Sequence, residues 1–350
     1  ESYRDRVDLE LLSTLDEVRD TQDQVGNSIA VVLGWLRLLA NSSNAANPET
    51  GPPGGIQIAI RRLEEAQASI AELLRRTASA ALRDHADNPV NASAVSRAVG
   101  RTSGEPGRPV LMFLHGFPEA AFVWDSMLAH FSKPENGGYR CIAPNLRGFE
   151  LSSAPSDAAA YRPKHLVQDI AALIAAEGGQ LECLIAHDWG GAVAWNLAAS
   201  HPQLMKKLAI INSPHPGTFL RELQHSPAQQ AASAYMNFLI RPDAEELLAA
   251  DDYRRLWTFF TSMGAADGHN PWLTDERRAQ YRAIWQRGLT GPLNYYRASP
   301  LRPARPGDPA AAAVTIPRAM LQVSLPTLVI WATQDTALLP SLLDGLEDFV

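Results

Sequence analysis

An aspartate that follows an apolar run is the first residue of this sequence whose setting suggests chemistry. The run Leu181–Ala186 predicts a buried strand, and Asp188 comes two residues after it. Its neighbours Ala186 and Gly190 are small, as required by the tight strand-to-helix turn that presents a catalytic nucleophile. A carboxylate on such a turn could attack an electrophilic carbon. Taken alone, the pattern fits equally well an aspartate that caps the next helix.

A second motif favours the interpretation of Asp188 as a nucleophile over that of a helix cap. The apolar run Val110–Leu114 is followed by the segment His115–Glu119. Its glycine, Gly116, allows the chain to turn so that the backbone amide of Phe117 points at the site. Together with the amide of Trp189, it would form an oxyanion hole. The interval between the two motifs accommodates two further strands with their helices, so the pair is much more specific than either motif alone.

Short apolar runs and helical stretches alternate along the second part of the chain. The helical stretches include residues 166–176 and 192–199. Strands alternating with helices predict a parallel sheet with right-handed crossovers, covered on both faces. From about residue 216 to 323 the strand pattern is replaced by helical, arginine- and aromatic-rich sequence, which predicts a helical cap. The predicted strands are Val110–Leu114, Tyr139–Ala143, Leu181–Ala186, Leu208–Asn212 and Thr327–Trp331.

These motifs together resemble the α/β-hydrolase superfamily and, within it, the epoxide hydrolases, over residues 109–350. The resemblance implies an α/β fold with a parallel sheet and a helical cap. Glu150 departs from the pattern, because many relatives have glycine there, and this affects a loop more than the chemistry. The resemblance rests on the segments His115–Glu119, Asn145–Phe149, His187–Gly191, Asn212–Pro216 and Gly291–Arg297.

The resemblance also implies roles for individual residues. Asp188 would displace the epoxide oxygen and form an alkyl ester, which water then hydrolyses to release a diol. Tyr235 and Tyr296 match the two cap tyrosines that donate protons to the epoxide oxygen. The alternative is that these tyrosines are ordinary amphipathic packing residues. Trp189 and Pro118 are expected to contact the substrate.

The charge-orienting acid of the family matches Asp335, although a solvated loop aspartate is the alternative. In this fold the catalytic histidine follows that acid, but the last histidine here is His269. His215 is a weak candidate for a substitute base. We expect the two strands that precede Val110 in relatives to be missing or replaced. The sequence begins with Glu1 rather than Met, so we expect both ends to be cuts.

Two other readings stay open at this point. Dehalogenases of the same fold also use an aspartate nucleophile. However, haloalkane dehalogenases usually have asparagine where Phe117 stands, and fluoroacetate dehalogenases favour arginine where Trp189 stands. The second reading is a catalytically impaired hydrolase that serves as a scaffold or regulator, which the missing histidine supports.

The first part of the chain reads as a helical hairpin over residues 1–100, followed by a linker over 101–108. Apolar residues recur at alternating spacings of four and three along two stretches. A lone hairpin buries too little of such seams, so we expect a homodimer through residues 1–90, unless the hairpin packs on its own second domain. The hairpin resembles the dimerisation and phosphotransfer hairpin of sensor histidine kinases, in Asp23–Ile29 and Leu33–Leu39. Asp23 stands where that family has its phosphorylated histidine, so only dimerisation is carried over.

The composition excludes several classes of function. The net charge of -7 and the lack of a long basic run argue against nucleic acid as a partner. No apolar run approaches the roughly 20 residues that cross a bilayer. Cys141 and Cys183 lie in apolar runs and read as reduced thiols of a cytoplasmic protein. No cofactor and no metal is implied, and the expected partner is a small epoxide or related electrophile.

The predicted hairpin can be tested directly. A fragment of residues 1–100 should sediment as a dimer, because pairing two hairpins buries both apolar seams. A folded monomer at tens of micromolar would contradict the prediction.

Overall fold

The computed structural model describes residues 100–262, 265, 272–305 and 309–350. The predicted hairpin and its dimerisation lie outside these residues. The chain divides into two compact units. The helix Asp125–Phe131 and the 3-10 turn Pro134–Asn136 fall in one of them. The sheet, the cap and the candidate site all belong to the other, which comprises residues 84–123 and 138–350.

One sheet organises this unit. Its strands are β1 (Gly100–Ser103), β2 (Val110–Leu114), β3 (Arg140–Pro144), β4 (Cys183–His187), β5 (Leu208–Ile211) and β6 (Thr327–Ile330). They lie in the order β1-β3-β2-β4-β5-β6, and every neighbouring pair is parallel except β1 with β3. The predicted strand positions are therefore confirmed, with shifts of one or two residues at some ends.

The strand order reverses direction between β2 and β4. From β2 the chain crosses to β3 on one side and then returns to place β4 on the other. In an open parallel sheet, such a switch point opens a crevice at the carboxyl ends of the strands, where ligands bind. The segments that follow β2 and β4 contain Phe117 and Asp188, so the topology alone brings the two motifs together.

Nine α-helices are present among the described residues. They are α1 (Asp125–Phe131), α2 (Pro163–Ala176), α3 (Asp188–Ser200), α4 (Pro216–His225), α5 (Pro227–Ala232), α6 (Tyr235–Leu239), α7 (Ala244–Ser262), α8 (Asp275–Trp285) and α9 (Thr290–Ala298). Short 3-10 helices occur at Ala121–Trp124, Pro134–Asn136, Ala158–Tyr161, Pro202–Leu204, Pro309–Ala313, Arg318–Met320, Pro340–Leu343 and Leu346–Asp348.

The linker predicted over residues 101–108 is wrong in its first part. Gly100–Ser103 forms β1, which pairs with β3 in register from Gly100 opposite Pro144 to Ser103 opposite Cys141. The expectation that the two strands before Val110 are missing or replaced is wrong for one strand, because β1 lies in the sheet. This strand is polar and half exposed, as suits a sheet edge, and so it lacks the apolar pattern that marks the central strands.

The centre of the sheet is buried on both faces. All five residues of β2 are buried, and Leu184, Ala186 and Ile210 have no exposed surface. A central parallel strand has helices over both faces, which is why its sequence is continuously apolar.

The two cysteines are free thiols. Cys141 and Cys183 lie on strands either side of β2, because both are in register with Leu111. Two strand spacings separate them by about 9–10 Å, which exceeds the roughly 7 Å that a disulfide can bridge.

Helices α4–α9 all lie between β5 and β6 in the chain, where the sequence predicts the cap. An aromatic cluster fills the core of these helices, with Phe260, Tyr281 and Trp285 buried in it. Arg282 binds the carboxylate of Asp252 through two hydrogen bonds of 2.8 and 2.7 Å. Asp252 is left-handed, so this ion pair ties the bend inside α7 to α8.

Within the described residues, no helix has the length and apolar character needed to cross a membrane.

The close packing of α3 on β2 generates a stability prediction. A Cβ atom at Gly190 would lie 2.6 Å from the carbonyl oxygens of Leu114 and His115. Because these are backbone atoms, Gly190→Ala must push α3 away from the sheet and should lower the free energy of unfolding by about 1–3 kcal/mol or more. Denaturant unfolding measures this loss.

Ser200→Ala, on the exposed end of the same helix, is the control and should stay within about 0.5 kcal/mol of the parent protein. Equal stability of Gly190→Ala and the parent protein would contradict the close approach of α3 to β2.

Candidate active site

Asp188 lies on the predicted sharp turn. His187 ends β4, and Asp188 starts α3 with a φ of 49°. A left-handed backbone at a residue other than glycine is strained, and such residues cluster at functional sites. The Asp188 carboxylate binds the backbone amide of Phe117 on another loop, so capping α3 alone does not account for this residue.

The carboxylate of Asp188 faces the loop after β2. Its Oδ1 accepts a hydrogen bond of 2.7 Å from the backbone amide of Phe117. This approach is possible only because Gly116 has no side chain: a Cβ there would lie 2.4 Å from the Cβ of Asp188 and 2.6 Å from its Oδ1. The glycine predicted to let the loop turn is thus required for space as well.

The electrostatics of Asp188 reflect opposing influences. Burial raises the pKa of this carboxyl above its usual value. The charge of His187 and the hydrogen bonds from the amides of Phe117 and Trp189 offset part of that rise. Both amides of the predicted oxyanion hole therefore contact the carboxylate.

His115 fixes the loop that carries Phe117. Its Nδ1 donates to the carbonyl oxygen of Gly116 at 2.9 Å, and its Nε2 accepts from the amide of Leu146 at 3.0 Å. Burial lowers the pKa of His115 to about 4, so the imidazole is neutral near pH 7. Its role is therefore structural.

A charged pair beside the nucleophile was not predicted from the sequence. Glu119 lies 3.4 Å from Nδ1 of His187, and its other oxygen accepts a bond of 2.9 Å from the hydroxyl of Tyr281 on α8. Burial alone would raise the pKa of Glu119, but the hydrogen bond with His187 lowers it overall. Burial would lower the pKa of His187, and Glu119 raises it instead. The pair therefore favours its ionised form next to Asp188.

Both predicted tyrosines face the nucleophile across one cavity of about 300 Å³. The cavity is lined by Asp188, Trp189, Tyr235 and Tyr296, among others. Burial raises the pKa of both phenols, and the two hydroxyls hydrogen bond with each other. The Tyr296 ring also packs edge-on against those of Trp189, at 4.9 Å, and Phe117, at 5.2 Å. Because burial raises the pKa of both phenols, they remain protonated near neutral pH.

Comparison with known proteins agrees with this geometry. The family model described as the alpha/beta hydrolase fold matches residues 109–349. The AB hydrolase superfamily protein YfhM of Bacillus subtilis is 37% identical over 214 residues, which cover 60% of this chain and 71% of that protein.

The chain belongs to the α/β-hydrolase family.

Within that family the similar proteins include epoxide hydrolases. Mouse epoxide hydrolase 4 is 32% identical over 237 residues, which cover 67% of this chain and 61% of the mouse protein. The chain thus spans about six tenths of the length of that relative. The crystal structure of an epoxide hydrolase variant from Bacillus megaterium aligns with a TM-score of 0.64 at 29% identity, covering 73% of this chain and 86% of that one.

This α/β-hydrolase holds Asp335 close to the sheet. Its Oδ1 accepts bonds from the amides of Ala337 and Leu338, at 2.8 and 2.9 Å, and its Oδ2 accepts a bond of 2.6 Å from the side chain of Asn212. Asn212, which follows β5 and has a φ of 41°, was not assigned a role from the sequence, although it belongs to one of the quoted motifs. Asp335 is therefore anchored rather than a freely solvated loop residue.

His215 is unsuited to act as a substitute base in this α/β-hydrolase. Its Nε2 lies 2.9 Å from the carbonyl oxygen of Leu321, and its Nδ1 accepts from the amide of Gly217 at 3.1 Å. The ring is 2% exposed and stacks on Phe349. Burial lowers its pKa to about 4. Both nitrogens are used in structural bonds.

The two expected substrate contacts differ in position. Trp189 lines the cavity, as expected. Pro118 is not among the lining residues, and its carbonyl oxygen accepts a bond of 2.8 Å from the indole of Trp285 on α8. Pro118 therefore does not make the expected substrate contact in this cavity, and its carbonyl oxygen is already bonded to the cap.

The raised pKa of Asp188 generates a prediction for pH dependence. A carboxylate must be ionised to attack an electrophilic carbon, so the rate at which an electrophile labels Asp188 covalently should decline as the pH falls. The midpoint should lie above about 3.9, the ordinary value for aspartate. His187→Gln removes a positive neighbour, which raises the pKa of Asp188 further and should move the midpoint upward.

Rates of labelling across a pH series, followed by intact mass spectrometry, measure these midpoints. His201→Gln, at the other end of α3, should leave the midpoint in place. An unchanged midpoint in His187→Gln would show that His187 does not act on the nucleophile.

Proposed function

We propose that this protein opens epoxides to diols through an alkyl ester on Asp188. The observation that carries the proposal is the arrangement of a half-buried carboxylate, with its Oδ1 bonded to the Phe117 amide, opposite the buried phenol of Tyr296 and the half-buried phenol of Tyr235 in one cavity. Epoxide opening requires a nucleophile on one side of the reacting carbon and a proton donor at the ring oxygen. This cavity offers both.

In the first step, Oδ2 of Asp188, the oxygen that the Phe117 amide does not hold, attacks one epoxide carbon. A new carbon–oxygen bond forms, the ring carbon–oxygen bond breaks, and the ring oxygen keeps the electron pair. That oxygen takes a proton from Tyr235 or Tyr296. Because burial keeps both phenols protonated, they can stabilise the developing alkoxide without carrying charge beforehand. The product is a hydroxyalkyl ester of Asp188.

In the second step, water attacks the carbonyl carbon of the ester. The negative charge would develop on Oδ1 and be stabilised by the amides of Phe117 and Trp189. Collapse of this intermediate expels the substrate oxygen, which takes one proton of the water and leaves as the diol. The carboxylate is restored, and the other proton returns to the tyrosinate that the first step left behind. A base must take the proton of the water, and Asp335 would orient such a base. None of the nine histidines follows Asp335 in the sequence, so this step should be much slower than the first in the 350-residue chain.

The relatives support the substrate class. Epoxide hydrolases from animals and bacteria are about 30% identical to this chain. A variant of the Bacillus megaterium enzyme was solved with its naphthyloxy propanediol product, which makes naphthyl glycidyl ether a suitable probe. The alternative of a dehalogenase gains no support from Phe117 and Trp189, which stand where dehalogenases usually have asparagine or arginine.

Two further parts of the proposal rest on the sequence. Self-association through residues 1–90 is supported by the two apolar seams. A cytoplasmic location is supported by the apolar setting of two unpaired cysteines.

The proposal predicts that naphthyl glycidyl ether adds its mass once to the protein and that the adduct accumulates. Intact mass spectrometry measures the rate. Asp188→Asn should form no adduct, because an amide is a poor nucleophile. Replacing both Tyr235 and Tyr296 with phenylalanine should slow labelling by about 10²-fold or more, because the ring oxygen loses its acids.

Tyr253→Phe is the control, since Tyr253 lies in the cap but does not line the cavity. Labelling of Asp188→Asn at the parent rate would contradict the proposed nucleophile. A folded protein that reacts with alkyl halides but not with epoxides would favour the dehalogenase instead.

A further inference from the structure

The cavity extends well beyond the reacting carboxylate along one face of α3. Asp188, Trp189, Ala192, Val193 and Asn196 all line it. Residues four apart lie above one another on a helix, so these residues form a continuous stripe. From Asp188 to Asn196 the helix rises by about 12 Å. The cavity is therefore much longer than an epoxide ring.

Within this stripe, Ala192 and Asn196 are half-buried and Val193 is buried. Ala194, Trp195 and Ala198 are buried in the hydrophobic core and do not line the cavity. Substitutions at Ala192 and Asn196 therefore project into the cavity rather than into the core.

The other walls of this channel are mainly apolar. Pro163 and Leu166 of α2 line it, and so do Pro300 and Leu301, which follow α9. The apolar character suits a hydrocarbon or aromatic substituent, because each buried methylene contributes roughly fourfold to binding.

The charge of the cavity is equally informative. Among the described residues that line it, Asp188 alone is charged, and no lysine, arginine or histidine is present. A carboxylate or phosphate on the substrate would lose its hydration without gaining a cationic partner. It would also be repelled by the nucleophile.

We propose that this channel selects uncharged epoxides with a long apolar substituent, which lies along α3 towards Asn196, and that Ala192 and Asn196 limit its length. The proposal rests on the proposed function, since it assumes that an epoxide carbon reacts at Asp188. It goes beyond that function by naming the kind of substituent and the residues that limit its length.

The test compares rates of adduct formation on the 350-residue protein for butene oxide, octene oxide and decene oxide. Each rate constant is measured by intact mass spectrometry below saturation. It is then divided by the rate constant for the reaction of the same epoxide with free acetate, which corrects for intrinsic reactivity. Octene oxide should label at least about tenfold faster than butene oxide, because its longer chain buries more methylenes. Glycidamide should label at least about tenfold faster than glycidate, which has a similar size but carries a negative charge.

Two variants test the length limit. Ala192→Leu narrows the middle of the channel and should reduce the ratio of octene oxide to butene oxide to about threefold or less. Asn196→Phe fills the far end and should slow decene oxide more than octene oxide. Ser200→Leu, on the exposed end of the same helix, should change none of these ratios. The chain-length series and the charge pair on the parent protein test the proposal even where a variant fails to fold.

The outcomes separate the two proposals. If no epoxide labels Asp188, the proposed function fails and this inference falls with it. If epoxides label Asp188 but the rates are independent of chain length, or glycidate reacts as fast as glycidamide, the function stands and the channel is not the selector. Unchanged ratios in both Ala192→Leu and Asn196→Phe would likewise overturn the assignment of these residues.

Discussion

The hydrogen bond between the Phe117 amide and Oδ1 of Asp188 is the interaction on which the rest of the site depends. Its length is 2.7 Å, and it joins the segments that follow two adjacent parallel strands. Three local features permit it. Gly116 leaves room for the carboxylate, Asp188 accepts a left-handed backbone, and Gly190 allows α3 to approach the end of β2. The strand order supplies the fourth condition, because the crevice opens between these two strands.

The cap holds the same loop from the other side. The hydroxyl of Tyr281 binds Glu119, and the indole of Trp285 binds the carbonyl oxygen of Pro118. Both residues lie on α8, so one helix spans the segment that directly follows Phe117. Helix α9 adds Tyr296, whose ring contacts Phe117. Displacement of the cap would therefore disturb the loop that carries Phe117 as well as the position of Tyr296.

Much of this architecture could be predicted from the sequence because its signals are local. The central strands are continuously apolar since they are covered on both faces, and the glycines near Asp188 mark close approaches of the backbone. The strand β1 was read as a linker because an exposed edge strand needs no apolar pattern. The hydrogen bond from Tyr281 to Glu119 joins residues that are 162 positions apart in the sequence. No local sequence pattern predicts a hydrogen bond over that separation. The anchoring of Asp335 by Asn212 was missed for the same reason.

As the proposed nucleophile, Asp188 would react through Oδ2 while the Phe117 amide holds Oδ1. A crystal structure of the protein trapped with an epoxide tests this most directly. The expected result is an ester bond from Oδ2 to the substrate carbon, with Oδ1 still bonded to the Phe117 amide. The new hydroxyl should lie within hydrogen-bonding distance of Tyr235 and Tyr296. An ester through Oδ1, a hydroxyl remote from both phenols, or an adduct on another residue would contradict it.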